Sequence, residues 1–112
     1  MEITEFKKEK IYILGLRGKL DAISSPAFRE KFFSLIGDNE RKFLIDCSNL
    51  DYISSAGIRV LFEASFKLED LSGKLIFCSL SENVRKIFDM VDLSSEFPVY
   101  PSQKEAFAGF DM

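Results

Sequence analysis

The sequence contains no histidine and no tryptophan, and it has only two cysteines among its 112 residues. Without histidine, the chain lacks the base of Ser-His and Cys-His catalysis and the commonest nitrogen ligand of zinc. We therefore predict no catalytic residue, no metal site and no cofactor. Each cysteine, Cys47 and Cys78, ends a predicted strand. The two could be neighbours in space, but we interpret them as buried thiols in a reducing cytoplasm.

Concentrated basic charge and long apolar runs are also absent. The formal net charge is −3, and lysine and arginine are scattered along the chain. Because no basic stripe is available to neutralise phosphates, nucleic acid is not expected as a partner. The longest apolar stretches, such as residues 11–16, are far shorter than the roughly 20 residues that cross a bilayer. The acidic, mixed residues 1–6 do not resemble an export signal. We predict a cytoplasmic protein without a membrane partner.

Phenylalanine is abundant, with twelve copies against three tyrosines, and hydrophobic residues make up 46% of the chain. This composition suits one packed core, and the length suits a single domain spanning residues 1–112. Four phenylalanines lie on apolar helix faces and are predicted to be in the core: Phe28, Phe32, Phe62 and Phe88. Four others fit those faces less well: Phe33, Phe66, Phe107 and Phe110. An exposed cluster of them would be a contact patch or a site of self-association, and we expect a monomer or a weak homodimer.

Apolar runs typical of strands alternate with helical periodicity along the chain. Strands are predicted at residues 3–6, 11–16, 42–47, 74–78 and 97–100, with a polar loop after residue 47. Helices are predicted to begin at four serines: Ser25 as an N-cap before Pro26, Ser55, Ser81 and Ser102. Gly37 is predicted to end the first helix in a left-handed conformation, and Val91 to lie on the buried face of the third. This order of elements predicts an α/β fold with parallel crossover connections.

The most informative segment is the connection between the second apolar strand and the helix of residues 55–71. In open α/β sheets, ligands and partners bind at the carboxyl ends of the strands. This connection lies at that end. Ser54 and Ser55 stand at the first turn of the helix. Taken alone, one of them caps the helix and the other is a polar turn residue. Gly57 beside Ala56 is expected to keep this turn bare, so that a partner can approach the backbone closely.

Residues 46–61 resemble the signature of the STAS family of anti-sigma factor antagonists, in which a strand and a loop precede Asp-Ser-Ser/Thr-Gly-Leu. Residues 18–21, Gly-Lys-Leu-Asp, resemble the Gly-x-Leu-Asp of that family, and residues 84–90 resemble its late basic and apolar helix. The resemblance covers nearly the whole chain. It implies a STAS-type single domain, with a small mixed β-sheet of four to five strands and helices packed mainly on one face.

The resemblance also implies a phosphorylation switch. In this family an anti-sigma factor, which is a serine kinase, phosphorylates the serine after the acidic position, and that serine is Ser55 here. The unphosphorylated form would bind the kinase and free a sigma factor, and a PP2C-like phosphatase would reset the serine. The sequence departs from the pattern at two positions, because Ser54 replaces the aspartate and Ala56 replaces the following Ser/Thr. Ser54 is therefore an alternative acceptor.

A partner-binding surface around this serine is implied as well. It would comprise Asp21, Ser54, Ala56, Gly57 and Arg59. Taken alone, Asp21 is a solvated turn residue after a strand. Arg59 lies one helical turn beyond Ser55 and would pair with a phosphate there, or else form an ordinary salt bridge with Asp51 or Asp21.

Three other functions compete with this one. A serine hydrolase lacks its base, and no Ser-x-x-Lys pattern opens the helix at Ser55. A small-anion or nucleotide site would need basic or glycine-rich support that the segment does not contain. A STAS domain that serves as a scaffold or accessory subunit of a signalling assembly or transporter remains the alternative.

Overall fold

The computed structural model describes residues 1–111, and its elements follow the predicted alternation of strands and helices. The strands are β1 (Glu2–Lys8), β2 (Ile11–Leu20), β3 (Lys42–Ile53), β4 (Lys74–Cys78) and β5 (Val99–Tyr100). The helices are α1 (Ser25–Gly37), α2 (Ser55–Asp70), α3 (Glu82–Met90) and α4 (Gln103–Gly109). A short 3-10 helix, Leu93–Ser95, lies between α3 and β5.

The five strands form one mixed sheet in the order β1-β2-β3-β4-β5. β1 runs antiparallel to β2, whereas the neighbouring pairs from β2 to β5 are parallel. The turn between β1 and β2 consists of Glu9 and Lys10, both with positive φ, which suits the twist of a two-residue hairpin. The predicted α/β class and mixed sheet are confirmed.

Alternate strand residues build two separate cores, one on each face of the sheet. Phe43, Ile45 and Phe77 join the larger core, which α1, α2 and α3 cover. Leu44 and Ile76 point to the other face, where α4 covers a smaller core. Three of the four helices thus pack on one face, as expected. Among the described residues the fold has no helix whose length and apolarity would let it cross a bilayer.

The two cysteines are buried free thiols on opposite faces of the sheet. Cys47 belongs to the larger core and Cys78 to the smaller one, because Asp46 rather than Cys47 is the register partner of Cys78. Burial raises the pKa of Cys78 to about 11 and also raises the pKa of Cys47. Neither thiol is therefore activated as a nucleophile.

β3 differs from the sequence prediction, because the expected polar loop after residue 47 is strand as far as Ile53. β2 likewise continues to Leu20. The pairing of these two strands shifts register twice in this region. Such bulges break the two-residue alternation, so Leu50 and Ile53 are both buried although three positions separate them. The period-two pattern was therefore not visible in the sequence.

Three predictions at helix ends were wrong. The N-cap position of α1 is Ser24, and Ser25 is buried inside the first turn with its hydroxyl donating to the Asp21 carbonyl. Gly37 stays helical, and Asn39 takes the positive φ instead. α3 ends at Met90, which leaves Val91 52% exposed.

The phenylalanines divide largely as expected. Phe28, Phe32 and Phe88 are fully buried, and Phe62 is partly buried against the larger core. Of the four that fitted the apolar faces less well, Phe110 is buried, and Phe33 and Phe107 are partly buried. Phe66 is 61% exposed.

Candidate functional site

The candidate site lies at the carboxyl ends of β2 and β3. Leu20 and Ile53 are register partners at the end of the pairing between these strands. The Ser54 N–H then donates to the Leu20 carbonyl at 2.8 Å. The strand extension beyond residue 47 therefore carries the start of α2 to the same edge as the β2–α1 connection. Asp21 follows Leu20 and Ser54 follows Ile53. The two residues therefore leave the sheet side by side.

The two serines have different environments. Ser54 is half-buried and is the N-cap of α2, and its Oγ accepts a hydrogen bond from the Gly57 N–H at 3.3 Å. Ser55 is exposed and is the first residue of α2. Within residues 1–111, the Ser55 hydroxyl makes no hydrogen bond. The geometry thus leaves one of the two hydroxyls, that of Ser55, unengaged and accessible.

Asp21 organises the connection between β2 and α1. Its Oδ1 accepts hydrogen bonds from the backbone N–H groups of Ile23 (3.0 Å) and Ser24 (3.1 Å). The Ser24 Oγ lies 3.2 Å from the same oxygen, and it accepts a hydrogen bond from the Asp21 N–H at 2.9 Å. The Ser24 backbone N–H contributes most to holding the pKa of the Asp21 carboxyl below its usual value. Asp21 is therefore more than a solvated turn residue, because its carboxylate fixes the loop beside Ser54.

Acidification is expected to loosen this connection. Because the pKa of Asp21 is lower in the folded state than in the unfolded state, its stabilising contribution is present above about pH 4, near its unfolded pKa, and is lost as the pH falls through the folded pKa. Wild-type protein should lose more stability than Asp21→Asn between neutral pH and about pH 3. Urea unfolding of both proteins over this range measures the difference. A constant difference between the two free energies of unfolding would contradict the role of the carboxylate.

Gly57 has a role that differs from the expected one. It is buried, and a Cβ there would lie 2.8 Å from the Leu20 Cγ and 3.0 Å from the Ile53 Cγ2. The expectation that Gly57 keeps the exposed surface of the turn bare is therefore wrong, because this glycine faces inward. Its missing side chain lets the first turn of α2 pack directly on the strand ends. Ala56 is half-buried beside it.

Arg59 is exposed on α2. Within residues 1–111 it forms no ion pair, so the predicted salt bridge with Asp51 or Asp21 is wrong. The carboxylates are held elsewhere or solvated, and the guanidinium remains one helical turn from Ser55.

Two apolar side chains near the serines were missed by the sequence analysis. Ile23 is 90% exposed in the β2–α1 connection, and Tyr52 is 45% exposed just before Ser54. Tyr52 also lines a groove with Lys19 and Ile87. Single exposed apolar side chains are common on protein surfaces, and these two lie in the segments that lead to α1 and α2. An isoleucine inside a turn of polar residues was the available sequence signal for Ile23.

The chemistry of this edge is set by the start of α2 and by the groups around it. The start of α2 offers free backbone N–H groups and the positive end of the helix dipole, which favour a negatively charged group. Across residues 1–111, no three His, Cys, Asp or Glu side chains are grouped so that they could hold a metal ion. The edge thus offers an exposed serine hydroxyl, a fixed aspartate turn and two exposed apolar side chains.

Comparison with known sequences gives a match to a described family. The family model for the STAS domain matches residues 4–106. BtrV of Bordetella bronchiseptica, described as a candidate anti-sigma factor antagonist, is 32% identical over 110 residues, which cover 98% of this chain and 95% of BtrV.

Solved structures share the fold. TM1081 of Thermotoga maritima, described as a candidate anti-sigma factor antagonist, superposes with a TM-score of 0.93 at 16% identity, covering 98% of this chain and 95% of that one. The Bacillus cell fate determinant SpoIIAA in its phosphorylated form gives a TM-score of 0.76 at 19% identity, covering 97% and 99%. These likenesses agree with the five-stranded mixed sheet described above.

Proposed function

The chain belongs to the STAS domain family, and from that premise we propose that it is an anti-sigma factor antagonist controlled by phosphorylation of Ser55. The unphosphorylated form binds an anti-sigma factor, which then releases its sigma factor. The anti-sigma factor is also the serine kinase that modifies Ser55. The name of the relative BtrV supports binding of an anti-sigma factor, and the phosphorylated form of SpoIIAA supports a phosphorylated state.

The observation that carries the proposal is the difference between the two serine hydroxyls. The Ser54 hydroxyl is occupied as the cap of α2, whereas the Ser55 hydroxyl is exposed. A kinase must reach a hydroxyl that can be aligned with ATP, and Ser55 meets that requirement without breaking a hydrogen bond of the cap. Ser54 stands as the alternative acceptor because it is only half-buried.

The phosphoryl transfer uses groups of the kinase. The Ser55 Oγ forms a bond to the γ-phosphorus of ATP, the bond between that phosphorus and the β–γ bridging oxygen breaks, and ADP leaves. The hydroxyl proton passes to a base of the kinase, the role that the catalytic-loop aspartate has in protein kinases. ATP and its metal ion belong to the partner, and this chain acts as a regulatory protein rather than an enzyme.

Phosphorylation weakens the complex with the partner and leaves the fold of this domain intact. A phosphate adds about −1.5 to −2 charges, and the start of a helix stabilises an anion, so the modified domain keeps its fold. At a contact surface the same charges lose their hydration, which is unfavourable unless the partner supplies cations. Phosphorylation thus releases the partner, and a PP2C-like phosphatase restores the binding form.

We propose that the partner surface comprises Asp21, Ser54, Ala56 and Arg59, with Gly57 setting the position of the turn from inside. The exposed Ile23 and Tyr52 extend this surface. The proposed state of the chain is a single domain, monomeric or weakly dimeric, in the cytoplasm.

The test combines binding with site mapping. The candidate anti-sigma kinases encoded in the same genome are incubated with this chain and ATP, and phosphopeptides are identified by mass spectrometry. We expect modification of the wild type and of Ser54→Ala, and none of Ser55→Ala. The Ser55→Ala variant is expected to retain binding to the kinase, which separates loss of the acceptor from loss of the surface. Modification confined to Ser54 would overturn the site assignment, and no binding by any kinase would overturn the function.

A further inference from the structure

A groove lies between the C-terminal half of α2 and the outer side of β4, away from Ser55. It encloses about 380 Å³. Its lining includes Phe62, Phe66 and Glu69 of α2, and Glu96 and Phe97 of the segment before β5. Phe66 is eleven positions beyond Ser55, which is about 16 Å along a helix at 1.5 Å per residue. The groove is thus separate from the phosphorylation site.

The floor of the groove is an open edge of the sheet. β5 pairs with Phe77 and Cys78, and within residues 1–111 no strand lies on the outer side of Leu75. Leu75 and Ile76 line the groove at this point. The Phe77 N–H donates to the Pro98 carbonyl and the Ser79 N–H to the Tyr100 carbonyl, which shows that the odd-numbered backbone groups of β4 face this edge. An extended segment can continue the sheet beside Leu75.

The charge of the groove selects a cation. Glu69 and Glu96 both line the groove and are exposed, and within residues 1–111 neither forms an ion pair. Lys74 also lines the groove and has a contact of its own, so the carboxylates exceed the local ammonium groups by one. Glu69 lies in the last turn of α2, where the helix dipole disfavours an anion. A bound cation would relieve this unfavourable charge.

The aromatic wall suits the same ligand. The ring centroids of Phe62 and Phe66 are 6.0 Å apart, and those of Phe62 and Phe97 are 5.2 Å apart. Phe66 leaves 61% of its surface in solvent although it stands beside these rings. A guanidinium or ammonium group is attracted to ring faces, and its aliphatic stem packs against them.

From the open strand edge, the unpaired carboxylates and the exposed ring together, we propose that this groove binds an extended segment of a partner protein that carries an arginine or lysine side chain. The segment adds to β4 beside Leu75, and its cation lies between Glu69 and Glu96. This contact is independent of the phosphorylation of Ser55, so a partner held here stays bound when Ser55 is modified.

The experiment is a titration of the isotope-labelled full chain with a blocked peptide, Thr-Val-Arg-Val-Thr, followed by backbone amide NMR. We expect shifts at Phe66, Leu75 and Glu96 and none at Ser55. Glu69→Gln and Glu96→Gln should each weaken binding about threefold and together about tenfold, as exposed ion pairs do. Phe66→Ala should weaken it by a similar factor. Glu30→Gln, an exposed carboxylate on α1, is the control and should change nothing.

Two further ligands decide the outcome. A peptide with glutamine in place of arginine is expected to bind at least about fivefold more weakly, and ethylguanidinium alone should bind too weakly to saturate. Equal binding of the glutamine peptide, shifts at the α2 start instead of the groove, or no shifts at all would overturn the proposal. Saturation by ethylguanidinium as readily as by the peptide would also overturn it, since the site would then take a small organic cation. None of these outcomes bears on modification of Ser55.

Discussion

Phosphorylation of Ser55 is expected to weaken the complex with the anti-sigma factor by about 100-fold, which corresponds to about 2.7 kcal/mol of binding free energy. The reason is the position of the hydroxyl, which is exposed at the first residue of α2 in the proposed contact surface. Removing a dianion from water costs several kcal/mol, and the helix dipole returns only part of that cost. Calorimetric titration of the kinase with the unmodified and the enzymatically phosphorylated chain measures the ratio of the two dissociation constants.

Variants at the same position separate charge from shape. Ser55→Asp carries one negative charge and should weaken binding by about tenfold, less than phosphate does. Ser55→Ala should bind within about twofold of the wild type, because the Ser55 hydroxyl holds no other group in place. Urea unfolding should show that all three forms remain folded. Equal affinity of the phosphorylated and unmodified forms for the kinase would contradict the switch, whatever the identity of the modified residue.

The general architecture could be predicted because its signals are local and repeated. Apolar runs such as residues 42–47 mark strands covered on both faces, and helical spacing placed Phe28 and Phe32 in the core. The second half of β3 could not be predicted in this way. Its polar residues resemble a loop, and they form a strand because β2 pairs with them through two register shifts. That pairing is a tertiary event, and no local pattern encodes it.

The different roles of Ser54 and Ser55 also could not be predicted from local sequence. The sequence placed Ser54 and Ser55 at the start of a helix, but it could not say which hydroxyl caps the helix. A shift of one residue in the cap exchanges the engaged serine with the exposed one, and a shift of that size did occur at Ser24 and Ser25. Helix ends depend on the surrounding chain, here the hydrogen bond from the Ser54 N–H to the Leu20 carbonyl. The distinction on which the proposed function rests is therefore structural.

Enlarging Gly57 is expected to destabilise the fold by about 1 kcal/mol for Gly57→Ala and by about 3 kcal/mol for Gly57→Val. A new Cβ would lie 2.8 Å from the Leu20 Cγ, which is fully buried, and 2.9 Å from the Leu20 carbonyl oxygen, which is part of the backbone at the end of β2. Alanine also recovers about 1 kcal/mol of helix propensity, so its net effect is smaller than that of valine, which adds a branched side chain to the same contact. Urea unfolding gives both values.

Gly37→Ala is the matched control for this series, because Gly37 is also helical and a Cβ there meets nothing within 4 Å. It should stabilise the protein by about 0.5 to 1 kcal/mol through helix propensity alone. If Gly37→Ala stabilises the protein and Gly57→Ala destabilises it, the destabilisation by Gly57→Ala is due to the contact with Leu20 and Ile53. Equal stabilisation by both would contradict that contact. Because the same contact seats the first turn of α2, Gly57→Ala should also weaken binding of the kinase although its exposed surface is unchanged. The inward-facing glycine, rather than the serine alone, then fixes the position of the hydroxyl proposed as the phosphate acceptor.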